Sequence, residues 1–158
     1  MSSPAPQRPR KFLVVVDKTA EAPVALRFAT RRAQHTDGRV TLLCVAEPGE
    51  FQQWRGVEEI MREEARQEAE GLVYAAAKVV NELSGIMPEL IIVEGRATEC
   101  LLELVHSDRD ISILVLAAGT AKEGPGPLVS MFAGPGTHPI PVTIVPGGFT
   151  DDEVDALA

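Results

Sequence analysis

The sequence predicts an α/β domain built on a five-stranded parallel sheet sandwiched by helices. Three observations carry this. Short apolar runs alternate with longer amphipathic stretches along the whole chain. The apolar runs are β-branched and continuous rather than alternating, which marks strands covered on both faces. Gly, Pro or Asp punctuation closes nearly every segment.

Taken in order, Met1–Arg10 is Pro- and Ser-bearing and is expected to be a disordered tail. Phe12–Val16 is the first strand and ends at Asp17. A helix is expected over about Thr19–Gln34, with Pro23 in its first turn and Ala22, Ala25, Leu26, Ala29 and Ala33 at helical spacing, stopped by Asp37-Gly38. Val40–Val45 is the second strand, broken by Glu47-Pro48-Gly49. Gly56 to about Ser84 reads as one long helix, charged at first and apolar later at Leu72, Val73, Ala76, Val80 and Leu83. Its charge cluster is expected to be a solvated face with Glu58–Arg62 and Glu63–Arg66 pairs. The third strand is Leu90–Val93, followed by a helix over about Thr98–Ser107. The fourth is Ile111–Ala117, followed by the Gly-rich loop Gly119–Pro127 and a short helix over about Leu128–Ala133. Val142–Val145 is the fifth strand. The acidic segment 148–158 is expected to be a final turn or a loose tail outside a domain spanning 11–147.

Composition limits the function classes. The chain has 158 residues, enough for one domain that buries roughly 68–70% of its unfolded surface. A net charge of −8 speaks against attraction to nucleic acid or an anionic membrane. No apolar run approaches the roughly 18 residues of a membrane span. Cys44 and Cys100 lack CxxC spacing and no signal-peptide pattern precedes them, so two reduced, buried structural thiols in the cytoplasm are expected. His35, His106 and His138 are too scattered to suggest a metal set, and His106 reads as a partner of its helix C-terminus. Ser130 is not set in a nucleophile elbow. Phe51 and Trp54 are read as core packing, or as a shield for the sheet end or a dimer surface.

The loop after the fourth strand carries most of the functional information. A parallel strand running into a Gly-rich loop and a helix is where α/β proteins place anions, because free N–H groups and the helix dipole converge there. Thr120 Oγ, the amides of Gly119–Gly124 and Gly126, and the ammonium of Lys122 suit an anion, whereas Glu123 repels one. Pro125 and Pro127 each remove an N–H that a phosphate cradle would use. The alternative is a rigid connecting turn. Asp17 is similarly open: it is either an acceptor for an adenine or ribose donor, or a cap for the following helix.

The order of these features resembles the universal stress protein family over about Lys11–Gly147. The resemblance rests on Val14-Val15-Val16-Asp17, Ala25-Leu26, Leu42–Val45 before Glu47-Pro48, the long second helix, Gly119-Thr120, and Pro141–Val145. It implies a Rossmann-like sheet of order 3-2-1-4-5, as in adenine nucleotide α-hydrolases, a homodimer, and no established catalysis. In the ATP-binding branch, an aspartate after strand one, a valine ending strand two and a Gly-x2-Gly-x9-Gly-Ser/Thr loop hold the nucleotide. Asp17, Val45 and Gly119-Thr120 match that pattern, and the nine-residue arch is missing, with Lys122–Pro125 in its place. The site implied is thus Asp17, Val45, Gly119, Thr120, Lys122, Gly124 and Gly126, holding ATP, AMP or another small anion weakly. An ATP-hydrolysing enzyme of the related architecture is the alternative, although after strand one the chain reads Asp17-Lys18-Thr19-Ala20, with no Ser-Gly-Gly-type turn.

Overall fold

Strand β1 (Lys11–Val15) lies at the centre of a five-stranded sheet of order β3-β2-β1-β4-β5. The other strands are β2 (Arg39–Ala46), β3 (Glu89–Glu94), β4 (Ile113–Ala118) and β5 (Val142–Pro146), and every pairing is parallel. The computed structural model describes residues 8–47, 55–134, 136 and 138–158, with only the backbone of 55–57. The expected disorder of the N-terminal tail up to Gln7, the break at Pro48-Gly49, and Phe51 and Trp54 lie outside the described residues.

All five residues of β1 are buried, as the continuous apolar run Phe12–Val16 requires. Their alternation feeds two cores. Phe12, Val14 and Val16 join Leu42 and Cys44 beneath helices α1 (Ala22–Thr36) and α2 (Arg55–Ser84). Leu13 and Val15 join Leu43 and Leu114 beneath α3 (Ala97–Ser107) and α4 (Pro127–Ala133), where Leu101, Val105, Val129 and Phe132 close the layer.

Helix α1 begins three residues later than expected. Glu21 is its N-cap without a side-chain bond, and Pro23 sits in the first turn, where a missing N–H costs nothing. Asp37, in the left-handed conformation, ends it. On α2 the inward stripe is Ala69, Val73, Ala76 and Val80. The expected Glu58–Arg62 and Glu63–Arg66 pairs are not among the ion pairs of the described residues. Arg66 instead reaches Glu70 and, at 3.9 Å, Glu94 on β3. Cys44 is buried, but Cys100 is only half-buried, because α3 turns that face toward Gly95 at the edge of the layer.

Residues 148–158 do not form a loose tail. A further helix, α5 (Asp151–Leu157), packs on α1, with Val154 buried. Its start is a capping box: Thr150 Oγ1 accepts from the Glu153 amide while the Glu153 carboxylate accepts from the Thr150 amide. The acids that made this segment look solvated serve the helix start and pair with arginines of α1. No helix among the described residues is long and apolar enough to cross a membrane.

Candidate functional site

The strand order reverses direction between β1 and β4, and beyond the carboxyl ends of these strands lies a cleft of about 430 Å3. That volume is in the range of small-ligand pockets. Its floor is apolar. Val15 and Val16 of β1, Val45 and Ala46 of β2, and Val115 to Ala117 of β4 meet the small side chains Ala22, Ala25, Ala65 and Ala69 of the overlying helices. Alanines at helical spacing on α1 and α2 keep both helices clear of the strand ends and leave the space open.

The predicted site residues divide into two groups. Asp17, Val45 and Gly126 line the cleft together. Gly119, Thr120, Lys122 and Gly124 do not line it. The reason is the conformation of the loop. The Gly119 amide donates to Pro125 O at 2.9 Å and the Gly124 amide to Ala121 O at 3.1 Å, so the segment closes on itself. Gly124 and Gly126 hold φ of 99° and 104°, a region open to glycine and costly for other residues, which lets the loop fold tightly. The Thr120 methyl lies beside Gly148, and Lys122 is exposed with no ion pair among the described residues. Two of the amides expected to cradle an anion are thus spent on carbonyls, and Pro125 and Pro127 have none to offer.

Asp17 neither caps α1 nor stands free. Its Oδ1 accepts from the Thr19 amide at 3.0 Å and from the Thr19 hydroxyl, a local turn that begins before the helix. The carboxylate remains exposed at the rim.

Three acidic residues missed by the sequence reading share this rim. Glu47, the residue after β2, accepts from the Ala97 amide at 2.6 Å and so occupies the N-terminus of α3. Glu21, the N-cap of α1, reaches toward Gly119. Glu68 of α2 pairs with Lys18. A carboxylate directly after a strand is the one sequence signal that pointed at Glu47. Glu21 and Glu68 depend on where the helices lie. The Cys44 thiol also lines the cleft, and burial followed by the charge of Asp17 pushes its pKa up, away from the thiolate a nucleophile needs.

Comparison with known proteins agrees with this architecture. The pattern of the universal stress protein family matches residues 9–126. The universal stress protein UspA from Lactobacillus plantarum superposes with a TM-score of 0.73 at 18% identity, covering 88% of this chain and 99% of its own. A protein of the universal stress protein family from Burkholderia pseudomallei gives 0.63 at 20% identity, covering 86% and 95%. A universal stress protein family protein from Arabidopsis thaliana, solved with AMP bound, gives 0.60 at 16% identity, covering 87% and 92%. At these identities the likeness is one of fold. No curated protein matches the chain significantly. The family pattern spans most of the described domain, and the sheet has the order that the resemblance implied. This chain belongs to the universal stress protein family.

Proposed function

We propose that this protein is a non-enzymatic stress-response module that acts as a cytoplasmic homodimer, with a cleft that holds an adenine-bearing ligand weakly. The observation that carries the reading is the cleft itself: an open, apolar space at the strand-order reversal, bordered by Asp17 and Val45. AMP in the Arabidopsis relative supports adenine as the moiety. Weak binding follows from the self-closed loop, which leaves little of a phosphate cradle. The lining contains no histidine, and its thiol is held protonated, which supports binding over hydrolysis. For the dimer, the support is β5, an edge strand with Ile144 exposed.

Mass spectrometry of small molecules released from natively purified protein tests the ligand, and an adenine compound in substoichiometric amount is the expected finding. Isothermal titration showing low-micromolar ATP affinity that Gly119→Val abolishes would overturn weak binding. Multiple turnover of ATP to AMP would overturn the non-enzymatic reading, and a monomer mass by light scattering at tens of micromolar would overturn the dimer.

A further inference from the structure

We propose that the cleft discriminates against phosphate and takes a neutral nucleoside in preference to a nucleotide, because the chain's own carboxylates already occupy the places an anion would use. This rests on the proposed function, in that it takes the same cleft to be the ligand site.

Each electropositive feature facing the cleft is already matched from within. The N-terminus of α3, an 11-residue helix whose Ala97 lines the cleft, holds the carboxylate of Glu47 against its first amide at 2.6 Å. This is the position a phosphate takes at other helix N-termini. Lys18, the only cation among the lining residues, is tied to Glu68 of α2. The Gly119 and Gly124 amides are bonded within the loop, and Pro125 and Pro127 interrupt the remaining donors. Against these stand four lining carboxylates, Asp17, Glu21, Glu47 and Glu68, with one lysine to balance them.

The floor tells the complementary story. Valine and alanine side chains from β1, β2, β4, α1 and α2 offer a flat apolar surface for a ring system, and a purine base loses nothing there to charge. The exposed Asp17 carboxylate at its edge can accept from an exocyclic amine or a ribose hydroxyl while keeping its bond to the Thr19 amide, since an ionised carboxylate has about four lone-pair sites. A phosphate on the same ligand would face Glu47 or Glu21 without a free cation or an open amide nest to offset the repulsion. The electrostatic preference thus runs opposite to that of a nucleotide cradle, while the shape of the site still suits the nucleoside.

The test is equilibrium titration of the full-length protein with adenosine, AMP and ATP at matched ionic strength and without divalent cations. Adenosine is expected to bind most tightly, AMP about tenfold more weakly and ATP more weakly still. Raising salt is expected to strengthen AMP binding, because screening relieves repulsion; a nucleotide cradle would lose affinity instead. Glu47→Gln is expected to raise AMP affinity about tenfold and narrow the gap to adenosine. ATP binding more tightly than adenosine, with affinity falling as salt rises, would overturn the inference and leave the adenine-binding function standing. No binding of any of the three at millimolar concentration would overturn the proposed site and the inference together. Should Glu47→Gln fail to fold, the order and salt dependence of the unaltered protein decide the matter alone.

Discussion

The guanidinium of Arg27 grips the carboxylate of Asp155 through two parallel hydrogen bonds, from Nε to Oδ1 and from a terminal nitrogen to Oδ2, each 2.8 Å long. Arg31 adds a third donor to Oδ1 at 3.1 Å. Hydrogen bonding from Arg27 first, with Arg31 behind it, holds the Asp155 carboxyl well below the usual carboxylate range. This fork locks α5 onto α1 around the buried Val154.

Acid should therefore loosen α5 before the sheet. Because the folded pKa of Asp155 is depressed, its contribution is present above its ordinary value of 3.8 and is lost as pH falls through the lower folded value. Asp155→Ala should lower the melting temperature at pH 7 and flatten its dependence on pH below 4, as calorimetry would read. Val154→Ala should cost about 2 kcal/mol by denaturant titration, by removing two methyl groups from a closed site.

Lys11 governs the alkaline side. Its ammonium lies 2.6 Å from Asp108 and 3.1 Å from Glu89. Burial alone would lower its pKa, but the hydrogen bonds to both carboxylates outweigh that, and the net shift is upward from 10.5. The stabilisation is thus full below about pH 10.5 and disappears as pH rises through the higher folded value. Lys11→Met should cost roughly 1–2 kcal/mol at pH 7, since its partners stay partly solvated, and should remove this alkaline slope.

Thr41 in β2 is fully buried and its hydroxyl has no hydrogen-bond partner among the described residues. An orphaned buried hydroxyl costs about 1–3 kcal/mol. Thr41→Val keeps the shape and β-branching, so the variant should be more stable by about 1 kcal/mol in urea unfolding.

Gly71 lies inside α2, exposed, and a Cβ added there would meet nothing within 4 Å. Gly71→Ala should stabilise the protein by about 0.5–1 kcal/mol, because alanine loses less backbone freedom in a helix. Thermal melts followed by circular dichroism at 222 nm would measure it.

The two thiols should differ in access. Cys100 is half-buried and Cys44 is closed in the core, with burial the leading cause of a raised pKa in each. A thiol reagent should modify Cys100 first and reach Cys44 only at the rate of unfolding, as timed mass spectrometry would show.

Nearly all of the fold was legible in the chain. Phe12–Val16 is apolar at every position, and only a central strand covered on both faces uses such a run, so β1 could be placed by itself. Counting back from Pro141 placed α4 within one residue, because proline and glycine limit where a helix can fit. The misreadings were cases where local composition and tertiary contact disagree. Thr150–Glu153 looks solvated by composition and becomes a helix start once Arg27 and Arg31 lie opposite it. Arg66 had an expected partner at i−3 and found Glu94 across the layer.

The sequence by itself determined the elements, their parallel order by resemblance, and the end of the sheet where a ligand would sit, since periodicity and chain punctuation are local properties. Only the tertiary structure decided which side chains face that space. Gly119 to Gly124 turned inward on their own hydrogen bonds, and Glu47 met the amide of Ala97, 50 positions along the chain. Charge at a site is summed over residues that are close in space and distant in sequence, so the step from an expected phosphate loop to a cleft ringed by carboxylates required the fold.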